Sequence, residues 1–207
     1  MGMDFKNCTI ENFTSVLSSN EPVPGGGGAC ALTAATGVSL GCMVCNLTIG
    51  KKKFIPVEEN LKEALEELEE LRDTFNESIN KDAQCFIPLS KAYKIPKDDP
   101  KRDEILENAL RMAAGAPFEV IKSCCRAVEI FEFLRDNSSA LVLSDVGVGI
   151  SMISSAMMSA SLNVFINTKL MKDRSYSQNL ERETDKMLEE YLPIADDIFS
   201  DVMSKIR

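Results

Sequence analysis

The chain has 207 residues, of which 44% are apolar, so it can bury a sizeable core and is most simply one domain spanning 1–207. Its net charge of −9 argues against a phosphate-binding surface, and we expect no nucleic-acid partner. Histidine is absent, which excludes histidine as a general base or metal ligand and leaves Asp, Glu, Lys, Cys or Tyr for acid–base chemistry.

The seven cysteines show no disulfide or zinc spacing. Cys42 and Cys45 form a C-x-x-C pair, but the pair lies inside a predicted helix and has no second pair to complete a metal site. Since no secretory signal pattern precedes them, we interpret the cysteines as reduced, mostly buried thiols of a cytoplasmic protein. We expect neither a metal nor a separate cofactor.

A glycine-rich stretch opens the most unusual part of the chain. Four glycines, Gly25 to Gly28, precede an uncharged run over 29–50, and Lys51, Lys52 and Lys53 close it. The glycines predict a loop whose backbone N–H groups are open to a ligand, because no Cβ blocks the approach. A flexible loop before a buried helix is an equally good interpretation. Gly37 and Gly41 share a helix face and predict close packing against a neighbouring helix.

The remaining patterns predict helices throughout. A first helix follows a cap at Thr9, and long amphipathic helices are predicted over about 57–86, 103–134 and 175–206. A second small-residue helix is predicted over 137–170. The fold class is therefore all-α, a bundle of about six helices in which two small-residue helices are wrapped by longer amphipathic ones. Leftover apolar surface on these helices indicates a homodimer.

The two uncharged runs, 29–50 and 146–168, are long enough to cross a membrane. Both are rich in Ser, Thr, Asn and Gly rather than Leu, Ile and Phe, which makes membrane insertion unfavourable. We therefore expect two helices buried inside a bundle, and no membrane partner.

Two aspartates are candidates for acid–base chemistry. Asp145 is the only formal charge between Asp136 and Lys169, and a carboxylate in a mostly buried helix is costly unless it is paired or used. Gly147 and Gly149 follow it and are expected to keep that face open. The alternative is that Asp145, or Ser144, caps the helix. Asp82 offers a second carboxylate, although an exposed aspartate is the simpler interpretation.

Asn163 and Asn167 lie four residues apart on the second small-residue helix. If Asp145 begins that helix, Asn163 shares its face but lies about 27 Å away along the axis. An elongated ligand, or a pocket that spans a dimer, would reconcile this distance. Hydrogen bonds to neighbouring helices are an equally good explanation for the two asparagines.

Several motifs in order resemble the cyclodeaminase/cyclohydrolase family: VPGGGGACALTAATG, LTIGKKKF, DAQCFIPLSKAYKIPKD, SDVGVG and SLNVFINTKLMKD. This family contains stand-alone methenyltetrahydrofolate cyclohydrolases and the cyclodeaminase part of formiminotransferase-cyclodeaminase. The resemblance implies an all-helical dimer that acts on a tetrahydrofolate derivative as its substrate. It also covers nearly the whole chain without a formimino-transferring domain, which favours the cyclohydrolase.

On this resemblance, Asp145 is the expected general base, while Asp82 stays a second catalytic candidate because it is a carboxylate. The expected substrate contacts are Gly25, Gly26, Gly27, Ser144, Asn163 and Asn167, with Lys51, Lys52 and Lys53 at the glutamate tail of the folate. The cyclodeaminase reaction uses the same carbon and stays open as an alternative, as does a non-catalytic folate-binding helical dimer.

Overall fold

The computed structural model describes residues 4–207, which form six α-helices and three short 3₁₀ turns without any β-strand. The helices are α1 (Ile10–Leu17), α2 (Gly26–Thr48), α3 (Glu58–Ala92), α4 (Arg102–Asp136), α5 (Leu143–Thr168) and α6 (Arg174–Ile206). The all-α prediction is confirmed. The small-residue helix α2 begins three residues earlier than expected, so the glycines belong to it.

Helices α2 and α5 lie antiparallel at the centre of the bundle. Gly26 at the start of α2 faces Asn163 near the end of α5, and the contacts continue at Gly37 and Gly149. A Cβ built on Gly37 would lie 3.0 Å from the Gly149 carbonyl oxygen, so the two backbones are in direct contact. The predicted close packing at Gly37 is therefore present, because neither residue has a side chain to hold the helices apart.

Glycines on both central helices also accommodate large side chains from the outer ones. A Cβ on Gly41 or Gly149 would lie 2.8 or 2.5 Å from the ring of Phe131 on α4, and one on Gly147 would lie 2.9 Å from Val202 on α6. The prediction that Gly147 and Gly149 keep a face open is therefore wrong. The space beside them is occupied by the core.

The long helices α3, α4 and α6 wrap this central pair through the apolar faces that their sequence periodicity predicted. Their largest fully buried side chains include Leu68 and Phe75 on α3, Phe131 on α4 and Ile198 on α6. Burial of one such side chain is worth about 1.5–3 kcal/mol, so these faces account for much of the stability of the bundle.

One side of the central pair remains uncovered. We call it the α2–α5 face, and its exposed apolar side chains are Met43, Leu47, Val148, Met158, Leu162 and Ile166. By length and hydropathy, α2 and the segment 140–168 are each capable of crossing a membrane, but 61% and 50% of their most apolar windows are buried in the bundle. Both helices thus belong to the core on one side and present an uncharged surface on the other.

Candidate active site

The four glycines form the N-terminal turn of α2. Gly25 is the N-cap residue in an extended conformation, and Gly26 to Gly28 are already helical. The predicted glycine loop is therefore wrong in detail. Since the first N–H groups of a helix have no partner within the helix and Gly25 has no side chain, this end needs a cap from elsewhere.

Asp82 on α3 supplies that cap. The Gly28 N–H donates a hydrogen bond of 3.0 Å to Oδ2 of Asp82. A Cβ on Gly27 would lie only 2.0 Å from Oδ1 of the same carboxylate, so the approach is possible only because Gly27 has no side chain. Asp82 is half-buried, and the interpretation of it as an exposed aspartate is wrong.

The position of Asp82 also changes its acidity. Burial raises its pKa above 3.8, and the hydrogen bond from Gly28 opposes this shift. The raised pKa means that desolvation outweighs the stabilisation that the helix terminus gives to the negative charge. A carboxylate of this kind is a stronger base than an ordinary surface aspartate.

Asn163 and Asn167 on α5 face the same space. The Asn163 amide nitrogen donates to the Ser159 carbonyl at 3.0 Å, and that of Asn167 donates to the Asn163 carbonyl at 2.7 Å. Their Oδ1 atoms accept no hydrogen bond within residues 4–207 and are free to accept from a ligand. Gly26 allows α2 to come close, since a Cβ there would lie 3.2 Å from Asn163 Oδ1.

These groups surround a cavity of about 290 Å³, which we call the glycine cavity. Its polar lining consists of Gly25, Gly26, Gly27, Asp82, Asn163 and Asn167. Its apolar lining is Pro22, Val23, Phe86, Leu89, Ala113 and Ile166, with Tyr93 at the rim. Such a cavity, mostly apolar with a few convergent polar groups, is typical of a small-molecule site.

The residues of α3 that line the cavity follow a spacing that sequence analysis missed. Asp82, Phe86, Leu89 and Tyr93 are separated by four, three and four residues, so they share one helix face. Phe86 was expected only as part of a core face, and Tyr93 was not singled out. The motif that contains Asp82 and Tyr93 contributed to the family resemblance. The helical spacing of the residues within it was the signal that could have identified Phe86 and Tyr93 as cavity residues.

The other predicted site residues lie elsewhere. Ser144 and Asp145 are in the first turn of α5, 18 residues before Asn163 in an uninterrupted helix, which corresponds to about 27 Å. Lys51 to Lys53 follow the C-terminal end of α2, about 33 Å from Gly26. Within one chain, these residues do not reach the glycine cavity.

The thiols of α2 are poor nucleophiles. Cys30 lies one turn into α2, and burial raises its pKa to about 11. Burial likewise raises the pKa of Cys45 to about 12, in agreement with the prediction of buried, inert thiols. The polar groups that the cavity offers a ligand are therefore the Asp82 carboxylate, the asparagine amides and the open N–H groups of α2.

Comparison with known proteins identifies relatives over nearly the whole chain. A family model described as formiminotransferase-cyclodeaminase matches residues 9–186. A methenyltetrahydrofolate cyclohydrolase from Methylorubrum extorquens is 37% identical over 205 residues, which cover 97% of this chain and 99% of that protein. A formimidoyltransferase-cyclodeaminase from Gallus gallus is 27% identical, and its match covers 86% of this chain but 34% of that longer protein.

A solved structure has the same architecture. The crystal structure of a formiminotetrahydrofolate cyclodeaminase from Thermotoga maritima matches with a TM-score of 0.83 and 25% sequence identity. The match covers 97% of this chain and 96% of that one. The overall helical arrangement is therefore shared with a protein of known structure.

Proposed function

This chain belongs to the formiminotransferase-cyclodeaminase family, and from that premise we propose that it is a methenyltetrahydrofolate cyclohydrolase. It would hydrolyse 5,10-methenyltetrahydrofolate to 10-formyltetrahydrofolate in one-carbon metabolism, as a cytoplasmic enzyme whose catalytic unit is the whole chain, 1–207. The choice within the family follows the full-length relative of that name. The observation that carries the chemistry is the half-buried Asp82 carboxylate at the wall of the glycine cavity.

The substrate presents a cationic carbon bonded to two nitrogens, N5 and N10. A carboxylate beside this carbon attracts the cation and accepts a proton from the attacking water. The new C–O bond gives a tetrahedral intermediate that carries a hydroxyl group. As its C–N5 bond breaks, N5 takes up the proton held by the carboxylate, and the hydroxyl gives up its proton to the freed carboxylate and from there to water as the C=O bond forms. The formyl group remains on N10. Asp82 is the only residue in the described cavity lining with a formal charge, and we assign it this role.

The remaining lining residues fit the other parts of the substrate. The N–H groups of Gly26 and Gly27 are placed to stabilise the oxygen that develops in the intermediate, because helix N-termini favour negative charge. The free Oδ1 atoms of Asn163 and Asn167 would accept hydrogen bonds from the pterin edge. Phe86 and Tyr93 provide apolar and aromatic surface for a flat ring.

We further propose that the α2–α5 face forms a homodimer interface. The exposed side chains over 148–166 and 29–47 carry no formal charge, in a chain in which 27% of residues are charged. A group of exposed apolar side chains without formal charges marks an interaction site, and a self-complementary face is the commonest solution. We assign it to a second copy rather than to a membrane.

The dimer would decide the role of the residues at the opposite end. Ile166 belongs both to the α2–α5 face and to the cavity lining, so a second copy packed on this face lies beside the cavity. In an antiparallel arrangement, the end of one copy that bears Ser144, Asp145 and Lys51 to Lys53 would approach the cavity of the other. Asp145 as a base, and Lys51 to Lys53 as substrate contacts, remain candidates only if they act on the cavity of the second copy.

A second candidate function is that of a formiminotetrahydrofolate cyclodeaminase, the name of the structural neighbour with TM-score 0.83. That reaction closes the ring at the same carbon and releases ammonia. Asp82 would then protonate the departing nitrogen, which a raised pKa also favours. A non-catalytic folate-binding dimer is the remaining alternative.

One assay separates these functions. Purified protein is given 5,10-methenyltetrahydrofolate or 5-formiminotetrahydrofolate, and the methenyl absorbance and released ammonia are followed against the uncatalysed rate. A cyclohydrolase accelerates loss of the absorbance with the first substrate. Acceleration only with the second, together with ammonia release, would reverse the order of the two enzymes. Tight binding without any turnover would support the non-catalytic dimer.

A further inference from the structure

We propose that Cys30 on α2 is a positioning residue, which holds the side-chain amide of Asn163 so that its oxygen is presented to the ligand. This inference rests on the proposed function, because it concerns how the chain binds the pterin edge of the substrate. Cys30 does not line the glycine cavity, whereas Asn163 does. Any effect of Cys30 on the ligand must therefore pass through Asn163.

The amide nitrogen of Asn163 has two hydrogens and two acceptors within reach. The Ser159 carbonyl lies 3.0 Å from Nδ2, on the same helix, and Cys30 Sγ lies 3.8 Å from it, on α2. Sulfur is a weak acceptor, so the second contact is the weaker one. A single hydrogen bond to Ser159 leaves the amide free to turn about that bond. The contact with Cys30 comes from a different helix and fixes the plane of the amide.

The shape of α2 supports the same orientation. Gly26 and Cys30 are four residues apart and share one face of this helix. A Cβ on Gly26 would lie 3.2 Å from Asn163 Oδ1, so the amide fits against α2 only because Gly26 has no side chain. One turn later, α2 provides the sulfur that contacts Nδ2. The helix therefore leaves room for the amide at Gly26 and holds its nitrogen at Cys30.

The thiol is suited to this role because it stays uncharged. Cys30 is 5% exposed, and burial raises its pKa to about 11, to which the nearby charge of Asp82 adds. At neutral pH the sulfur is therefore a protonated, neutral thiol that accepts a hydrogen bond without adding a second negative charge beside Asp82. The electrostatics of the cavity stay those of the Asp82 carboxylate.

The fixed amide decides what Asn163 can bind. Both hydrogens of Nδ2 are directed to protein acceptors, whereas Oδ1 accepts no hydrogen bond within residues 4–207. Asn163 therefore offers an acceptor and selects an N–H donor on the ligand, such as those at the edge of a pterin. A ligand that placed an acceptor there would leave two oxygens facing each other without a proton, which is unfavourable.

The test begins with Cys30→Ala. Loss of the sulfur should raise KM for 5,10-methenyltetrahydrofolate by about 2- to 10-fold, the equivalent of one weak hydrogen bond, because the amide is no longer held for binding. The value of kcat should change much less, since the contact with the pterin edge is made equally in the ground state and the transition state. Steady-state kinetics and melting curves provide the measurement.

Cys45→Ala is the matched control. Cys45 is fully buried on the same helix but lies 15 residues from Cys30, which corresponds to about 22 Å. Its substitution should lower the melting temperature, as expected for a buried residue, and leave KM unchanged. A general loosening of α2 would instead raise KM in both variants.

A double-mutant cycle with Asn163→Ala distinguishes positioning from packing. Once the Asn163 amide is absent, Cys30→Ala should raise KM by no more than about 1.5-fold, because the two changes remove the same interaction. The proposal is overturned if Cys30→Ala leaves KM unchanged, if its effect is as large without the Asn163 amide, or if Cys45→Ala has the same effect.

The same variants are also titrated with tetrahydrofolate, because binding does not require turnover. If the wild type turns over neither folate substrate but Cys30 and Asn163 are coupled in the Kd, the positioning role stands and the cyclohydrolase is refuted. If the wild type is an active cyclohydrolase without this coupling, only the positioning role fails. A wild-type protein that binds no tetrahydrofolate refutes both.

Discussion

The two ends of the α2–α5 pair differ in what they offer a ligand. At the Gly26 end, three helices bring together Asp82, two asparagines and the open N–H groups around one cavity. At the other end, Asp145 and Lys51 to Lys53 carry charges of both signs but line none of that cavity. The comparison teaches that an isolated charge in an apolar stretch need not face a cavity of its own chain, since Asp145 lies in the first turn of α5.

The largest expected effect comes from Asp82→Asn. The asparagine keeps an oxygen for the Gly28 N–H but loses the basic carboxylate, so turnover should fall about 10²- to 10⁴-fold while the fold is retained. Rates on 5,10-methenyltetrahydrofolate and circular dichroism provide the measurement. Asp145→Asn, the matched change at the other end, should cost much less. If Asp145→Asn were the inactive variant and Asp82→Asn the active one, the base would belong to the opposite end.

Gly27→Ala should lower kcat/KM by about 10²-fold, because the new Cβ would lie 2.0 Å from Asp82 Oδ1 and must displace the carboxylate. Gly28→Ala is the control, since a Cβ there meets Pro24 Cβ at an ordinary 3.5 Å. Steady-state kinetics of the two variants, with melting temperatures, test this difference. Equal activities would mean that the position of Asp82 is not critical to the reaction.

Leu162→Glu should convert a dimer to a monomer. Leu162 is 69% exposed on the uncharged α2–α5 face, and a glutamate there would become a buried, unpaired charge in the dimer, which is strongly unfavourable. Ile10→Glu, at a residue 77% exposed on α1, is the control with the same change of charge. Analytical ultracentrifugation gives the mass, and the rate of the monomer shows whether the second copy contributes to the site. A wild-type monomer, or unchanged mass in Leu162→Glu, would contradict the proposed interface.

The smallest effects are those of pH. Because burial raises the pKa of Asp82 above that of an unfolded aspartate, about 3.9, the folded chain binds more protons in the interval between the two values. The contribution of Asp82 to the free energy of unfolding therefore falls as pH rises through that interval. Turnover rises over the same interval, because the Asp82 carboxylate loses its proton and can act as a base. Asp82→Asn should remove this contribution, with a melting temperature at pH 7 that is unchanged or a few degrees higher.

The melting temperatures of wild type and Asp82→Asn are compared from pH 4 to 8. A marked loss of stability in Asp82→Asn at pH 7 would indicate that the charged carboxylate stabilises the folded chain. In that case its position at the start of α2 is structural, and its assignment as the base is weakened.

Much of the fold was predictable because helices are local structures. The Thr9 cap is present, with Asn12 N–H donating to its side chain at 3.1 Å, and the periodic apolar residues of α3, α4 and α6 identify the buried faces. The boundary of α2 was less accurate, since glycines at a helix start carry the same local signal as a loop. Of the candidate site, Gly25 to Gly27, Asn163 and Asn167 were identified, as was Asp82 as the second catalytic candidate, and these residues lie together.

The sequence did not predict that Asp82, and not Asp145, lines the glycine cavity. Asp145 is the only charge in an uncharged run, and the sequence therefore favoured it as the general base. Asp82 has polar neighbours in the sequence, which is the pattern typical of an exposed residue. The contact that distinguishes Asp82 joins it to Gly28, 54 residues away, and depends on the missing Cβ of Gly27. A contact between residues so far apart in the sequence leaves no local sequence pattern from which it could be predicted.

The sequence by itself determined the all-α class, the two small-residue helices and the family, because spacing, glycine content and motif order are properties of the chain. Only the tertiary structure decided which charges share a cavity. Antiparallel packing of α2 and α5 separates the two ends of each helix by roughly 30 Å. The site therefore consists of groups from different helices that meet at one end of the bundle.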